Sequence, residues 1–337
     1  MRVLEVAPVW VPVPPRGYGG IEWIVHWLSE GLDARGHDVL LLTVGDSSSE
    51  VPKRWVFPEV PPRGGSGLAQ EAIHALEIPA AAEWFRPDVI HDHTLLGPMV
   101  APRGVVHVTT AHGPASGDLG EYYTRISERT NLVAISESQR RSMPLARWAR
   151  TIHNAIDVHS FPFKPDKADY ALYLGRVCPD KGADVAARAA RLAGVPLVIA
   201  GRVEEEAERR YVEEELAPLL GKGIELVGEA DSDDKRELLA DARALLLPLR
   251  WEEPFGLVMV EALACGTPVI AYPRGAAPEI IEPGRNGALV EDAEQMADAL
   301  RDLDVSPEEC RASVEARFHV DRMVGDYESL FLELTNG

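Results

Sequence analysis

Cysteine is scarce in this chain: Cys178, Cys265 and Cys310 are the only three. An odd number at wide spacings builds no disulfide framework and fits a reducing compartment, so a cytoplasmic location is expected. Long apolar runs are missing too. None approaches the roughly 18 residues of a membrane span. Glu5 interrupts the apolar stretch at residues 3–7, which is too short and too polar for a signal peptide. Lysine is rare, with six against 28 arginines, and positive charge is in deficit, 34 basic to 54 acidic side chains for a net of −20. Such a chain is a poor non-specific ligand for nucleic acid or anionic lipid, and membrane contact is not expected. Any cation that binds a phosphate here must be placed locally against the global field.

What is present is an ordinary globular balance. The 337 residues are 46% hydrophobic and 26% charged, which excludes a disordered tail and a collagen-like chain. The length predicts about two domains, large enough to bury a core without a disulfide or metal staple. Short apolar runs alternate with helical patterns. Strands are expected at residues 3–7, 38–44, 89–92, 105–110, 132–135 and 151–154, with a helix over 21–35. The stretch FPFKPDKA at 161–168 reads as a linker. A second series follows, with strands at 171–174, 196–200, 224–227, 244–247, 268–271 and 287–290. Helices are expected at 182–192, 204–220, 233–242 and 257–264, and a last one at 320–334. Apolar strands alternating with helices predict parallel sheets covered on both faces, that is, two Rossmann-like α/β domains. Ligand sites are then expected at the carboxyl ends of the strands, in a cleft between the domains. Residues 64–67 read as a Gly/Ser-rich loop, and the basic segment at 140–150 as a solvated helix face.

Four constellations carry the chemistry. In EPFGLVMVE, Glu253 precedes a Pro-Phe-Gly turn and Glu261 sits inside an apolar helix. A carboxylate in a buried helix needs partners. Vicinal ribose hydroxyls would serve, and so would an arginine in the core. The turn also offers free backbone N–H groups at the helix start. In GRVCPDKG, Arg176 and Lys181 lie just past a strand, where a diphosphate would sit in such a fold. The plain alternative is a surface pairing of Lys181 with Asp180 or Asp184. Arg16-Gly17-Tyr18-Gly19-Gly20 reads as a phosphate loop or as a flexible turn. His91, His93 and His112 fall at expected strand ends. One imidazole could meet a sugar hydroxyl or the transition state. A metal site is the rival reading of His-x-His, and a hydrogen-bonded loop histidine the plain one. Asp231 to Asp234 contains a DxD, but it directly precedes a helix, so capping is the better reading.

Together these segments resemble the retaining family 4 glycosyltransferases of GT-B fold. The resemblance runs through YGGIE with GLDARGHDV, DVIHDH, TTAHG, VAISESQR, HNAID, LGRVCPDKG and EEPFGLVMVEALACGTPVIAY. The first block is also similar to the avilamycin-pathway type of bacterial sugar transferase, which would imply antibiotic biosynthesis. The resemblance implies an acceptor-binding domain over 1–163, a nucleotide-sugar-binding domain over 164–318, and a last helix at 319–337 returning to the first domain. It implies that Arg176 and Lys181 bind the donor diphosphate and that Glu261 binds the donor ribose. Glu253 would stand beside the transferred sugar, with Phe255, Gly256 and Leu257 at the donor. His112 would lie near the sugar's 6-position and anomeric carbon. Gly19 and Gly20 match the glycine loop of the acceptor-side domain and are counted with the donor-binding residues. Gly201-Arg202 departs from the usual glycine-rich turn, which puts the edge of the nucleotide pocket in doubt.

The expected reaction is transfer of a hexosyl group, with retention and without a metal ion. The donor would be a nucleotide diphosphate sugar, UDP-glucose first among them. The acceptor would be a hydroxyl of a small soluble molecule or oligosaccharide. No cofactor is implied, since the nucleotide-sugar is a substrate. The alternatives of the same fold are a nucleotide-sugar 2-epimerase and a phosphorylase, although the latter needs a late pyridoxal lysine and none follows Lys235. A non-catalytic sugar-nucleotide-binding subunit is the alternative from another class.

Overall fold

The computed structural model describes every residue except Tyr18 and residues 63–66. It divides into two compact units, Met1–Ala155 with Val320–Gly337, and Ile156–His319. The first contains β1 (Arg2–Val6), α1 (Gly20–Ala34), β2 (Asp38–Thr43), β3 (Lys53–Trp55), α2 (Leu68–Phe85), β4 (Val89–Asp92), α3 (Gly97–Val100), β5 (Val106–Ala111), α4 (Gly117–Ile126), β6 (Asn131–Ala134), α5 (Glu137–Ser142) and β7 (Trp148–Thr151). The second contains β8 (Ala171–Leu174), α6 (Ala183–Ala193), β9 (Leu197–Ala200), α7 (Glu206–Tyr211), β10 (Ile224–Gly228), α8 (Ser232–Asp241), β11 (Ala244–Leu247), α9 (Leu257–Ala264), β12 (Val269–Ala271), α10 (Ala277–Ile280), β13 (Gly287–Leu289), α11 (Ala293–Asp302) and α12 (Pro307–Arg317). The last helix, α13 (Val320–Asn336), belongs to the first unit, where it packs beside α1.

Each unit is built on one parallel sheet. The orders are β3-β2-β1-β4-β5-β6-β7 and β10-β9-β8-β11-β12-β13. Helices cover both faces of the central strands; β8 and β11 are buried along their whole length and read as unbroken apolar runs, whereas β1 and β4 carry Glu5, His91 and Asp92 in buried positions. In both sheets the order reverses beside the first strand of the unit, between β1 and β4 and between β8 and β11. At such a point successive connections leave on opposite faces, and the loops beyond the strand ends part to form a crevice.

Several expectations need correction. The chain passes from the first unit to the second at Ala155 and Ile156, before the expected linker at 161–168. That segment is held inside the second unit: the Phe161 carbonyl accepts from Arg311, and Lys167 Nζ donates to the carbonyls of Ala240 and Cys265. The basic segment is not one helix face. Helix α5 stops at Ser142, before Pro144, and Trp148 to Thr151 form the edge strand β7. Arg150 there reaches Glu333 of α13, with Nη2 to Oε2 at 2.6 Å. The expected helix at 204–220 is regular only over α7 and continues as tighter and wider turns to Leu219. Helix α2 was not evident from sequence, since Pro79 sits inside it and its apolar residues follow no clean stripe. Of the expected loop at 64–67, residues 64–66 lie outside the described residues and Gly67 precedes α2.

Candidate active site

In the second unit the loops after β8 and β11 carry most of the residues singled out from sequence. After β8 the chain runs through Gly175 and Arg176, makes a tight turn at Pro179–Lys181 and enters α6. After β11 it passes Trp251 and Glu253 and enters α9 through Gly256. These loops meet: Lys181 Nζ donates to Glu253 Oε2 and lies 4.8 Å from the Trp251 ring centroid. Lys181 is therefore paired with Glu253, not with Asp180 or Asp184. The pair is only partly screened by water, its side chains being 24% and 13% exposed. Arg176 is half exposed, with Nε 3.2 Å from Glu208 Oε1.

Asp184 has another function. It is buried and accepts from Arg250 and from the Tyr211 hydroxyl, with Arg188 also paired to it. Burial alone would raise its pKa, but these donors outweigh that and hold the carboxyl below its usual range. Arg250 also donates through Nη1 to the Pro179 carbonyl and through its backbone N–H to Asp180. The turn that presents Lys181 is thus pinned to the loop after β11.

Gly256 has φ of 85°, a left-handed backbone that strains any side chain, so glycine is favoured where α9 begins. Leu257 is the first residue of α9, and Phe255 turns its ring into the unit's core, 5.8 Å from that of Phe318. The first-turn N–H groups of a helix lack intrahelical acceptors and favour an anion. Glu261, on α9, is 6% exposed. Its partner is not an arginine but Lys235 of α8, at 2.8 Å from Oε1. Oε2 has no hydrogen-bond partner among the described residues. Asp231 caps α8, accepting from the backbone N–H groups of Asp233 and Asp234 at 2.9 Å each.

In the first unit the three histidines do come together. In the register of β1 with β4, Glu5 stands opposite His91. Glu5 Oε1 lies 3.0 Å from His91 Nδ1 and Oε2 lies 3.3 Å from His93 Nε2. His93 Nδ1 is 2.8 Å from His112 Nε2, with the two rings stacked at 5.1 Å. Glu5, His91 and His93 are buried, and His112 is partly exposed at the end of β5. Burial disfavours the imidazolium, so His91 is pushed down to about 3 and His112 well below its ordinary value. The ligand atoms of Glu5, His91 and His93 lie within 4.8 Å of one another, the spacing of a metal site. Here those atoms are engaged in hydrogen bonds with one another. Gly19 precedes α1, and a Cβ there would meet Pro15 Cβ at 2.6 Å and Glu22 Oε2 at 3.0 Å. Gly20 is the first residue of that helix.

Two family models divide the chain between them. "Glycosyltransferase Family 4" matches residues 18–160 and "Glycosyl transferases group 1" residues 157–317. The chain is a family 4 glycosyltransferase of GT-B fold. It is 28% identical to a phosphatidyl-myo-inositol mannosyltransferase of Mycolicibacterium smegmatis, over 94% of this chain and 88% of the relative. It is 27% identical to a glycogen synthase of Mycobacterium tuberculosis, over 97% and 91%. Among solved structures, AviGT4, a glycosyltransferase involved in avilamycin A biosynthesis, aligns with a TM-score of 0.78 and 26% identity, covering 100% of this chain and 98% of that one. Anabaena HepE, solved with UDP and glucose, shares the fold at a TM-score of 0.78 and 19% identity, over 99% and 100%.

Sequence reading missed three residues that hold the candidate site residues or their loops: Glu5, Lys235 and Arg250. Glu5 did carry a signal, as a lone charge in an otherwise apolar central strand, where a buried carboxylate must find donors. Lys235 and Arg250 carried none, since their partners lie on elements distant in sequence. No helix is long and apolar enough to cross a membrane among the described residues.

Proposed function

We propose that this glycosyltransferase is a retaining hexosyltransferase that takes its sugar from a nucleotide diphosphate donor, a UDP-sugar and UDP-glucose first. It would pass the sugar to a hydroxyl of a soluble small molecule or oligosaccharide. The observation that carries the reading is Lys181, held on Glu253 in the loop that leads to α9, with Arg176 in the same loop after β8, at the β8–β11 reversal. In a chain of net charge −20, these two cations and the N–H groups that open α9 are the groups of the β8 and β11 loops suited to a small polyanion, which would take them over from their resting partners Glu208 and Glu253. As the glycosidic bond to the diphosphate breaks, negative charge grows on the leaving oxygens. Arg176, Lys181 and the N–H groups at Leu257 stabilise that charge, which lowers the barrier. Glu261 Oε2 accepts from ribose hydroxyls, with Lys235 orienting the carboxylate through Oε1. Glu253, held by Lys181, lies beside the transferred sugar. His112 accepts from one of the sugar's hydroxyls. Retention without a separate nucleophile implies front-face attack, in which a donor phosphate oxygen takes the acceptor's proton.

The 2-epimerase and binding-subunit alternatives have no support among the relatives named above. A lipid acceptor is a second reading, favoured by the mannosyltransferase relative, whose name states a phosphatidylinositol substrate. The test is nucleotide release from a panel of UDP- and GDP-sugars, each with soluble glycosides or with phosphatidylinositol vesicles, followed by assignment of the product's anomeric configuration. Acceptor-dependent release from a UDP-sugar with retention supports the proposal. Release only with vesicles selects the lipid acceptor, and inversion overturns the mechanism.

A further inference from the structure

The histidine cluster of the first unit is part of a longer buried chain of hydrogen bonds. It starts on α13, where the Tyr327 hydroxyl lies 2.8 Å from Thr110 Oγ1. Thr110 Oγ1 lies 2.8 Å from His91 Nε2, and His91 Nδ1 lies 3.0 Å from Glu5 Oε1. Glu5 Oε2 continues to His93 Nε2 at 3.3 Å, and His93 Nδ1 to His112 Nε2 at 2.8 Å. His112 Nδ1 has no hydrogen-bond partner among the described residues, and His112 is the partly exposed end of the chain.

Each of these contacts needs one proton, and only one group settles the direction. An ionised carboxylate accepts and cannot donate. Glu5 therefore requires N–H at His91 Nδ1 and at His93 Nε2. Neutral imidazole has one N–H, so His91 Nε2 must accept from Thr110, which in turn accepts from Tyr327. By the same count His93 Nδ1 has a lone pair and accepts from His112 Nε2–H. His112 Nδ1 is then left with a lone pair.

We propose that Glu5 and His93 are positioning residues that lock His112 in its Nε2–H tautomer, so that Nδ1 meets its ligand as an acceptor for a sugar hydroxyl. This rests on the placement of His112 at the transferred sugar. Burial keeps all three imidazoles neutral, with His91, His93 and His112 each held below the ordinary histidine value, and it also raises Glu5 against the hydrogen bond from His93, so the lock holds at pH values above the titration of that carboxyl. Protonation of Glu5 would reverse the outer half of the chain: Glu5 would donate to His93, His93 to His112, and Nδ1 would become a donor. The tautomer of His112 is thus a readout of the carboxylate two bonds away.

The experiment is two-bond proton–nitrogen spectroscopy on protein labelled with 15N-histidine, His112 being assigned by its loss in His112→Ala. In wild type, Nδ1 is expected unprotonated and Nε2 protonated. Glu5→Gln can donate to one imidazole and accept from the other, and His93→Phe removes the link while keeping a ring against His112. Both should release the tautomer and lower kcat by on the order of 100-fold with donor KM little changed. Tyr327→Phe leaves Thr110 able to donate to His91 and should keep the wild-type tautomer. A protonated Nδ1 in wild type overturns the proposal, even if neither variant folds. So does an unchanged tautomer in Glu5→Gln and His93→Phe. Full transfer by His112→Ala, by contrast, overturns the sugar contact beneath the proposal, whatever the tautomer.

Discussion

Replacing Lys181 by methionine separates the two tasks of one side chain. In the resting protein Lys181 neutralises Glu253, and in the proposed reaction it neutralises the leaving diphosphate. Breaking a fully buried pair costs about 3–5 kcal/mol and breaking an exposed one about 0–1. With side chains 24% and 13% exposed, this pair lies between those limits. We expect a stability loss of roughly 1–2 kcal/mol, or about 2–8 °C in the melting midpoint of a domain of this size. At 25 °C such a loss leaves almost all molecules folded. Losing a donor aimed at charge that develops in the transition state costs about 2–4 kcal/mol, a roughly 30- to 1000-fold drop in rate. The assay is nucleotide release at saturating donor alongside a thermal melt. Adding Glu253→Gln to Lys181→Met should recover part of the stability, because no unpaired carboxylate is left, and none of the rate. Near-normal turnover by Lys181→Met combined with Arg176→Ala would refute the diphosphate assignment.

Glu261→Gln should weaken nucleotide binding by about tenfold, the equivalent of one charge-assisted hydrogen bond, as read by calorimetry; Lys235→Met should do the same by freeing Glu261 from its partner. If neither changes nucleotide affinity, ribose is not bound there. Transfer should persist in excess chelator, because Arg176 and Lys181 supply the positive charge; activity lost and then restored by a divalent ion would return the Glu5, His91 and His93 cluster to consideration as a metal site. Stability should fall with acid at an unusually high pH. A histidine held below its unfolded value contributes stability that is fully present above about pH 6.5 and is lost as pH falls toward the folded value. For His91, held at about 3, the loss at pH 5 is about 2 kcal/mol. Glu5, raised by burial, acts in the opposite sense and offsets part of it. Melting midpoints at pH 7 and pH 5 test this, and equal values would contradict the burial of neutral histidines.

Local features of the sequence determined the two parallel-sheet units. Residues 171–174 and 244–247 could be read as strands because a doubly covered strand is apolar along its length, and the whole signal lies within four residues. Gly256 before α9 and Asp231 before α8 were equally readable, since turn and cap chemistry involves only near neighbours. The sequence placed His91, His93 and His112 near strand ends, but His91 lies inside β4, fully buried, and that the three form one cluster was left open. So was what they gather around. Glu5 faces His91 only through the register of β1 on β4, and Lys235 reaches Glu261 only because α8 packs beside α9. Trp148 to Thr151 became an edge strand because β6 offered them a ladder, against the helical reading of their charges. Pairings of this kind join residues far apart in the chain with no period or spacing to announce them, so tertiary structure alone decided which charges are neutralised and which atoms stay free to bind.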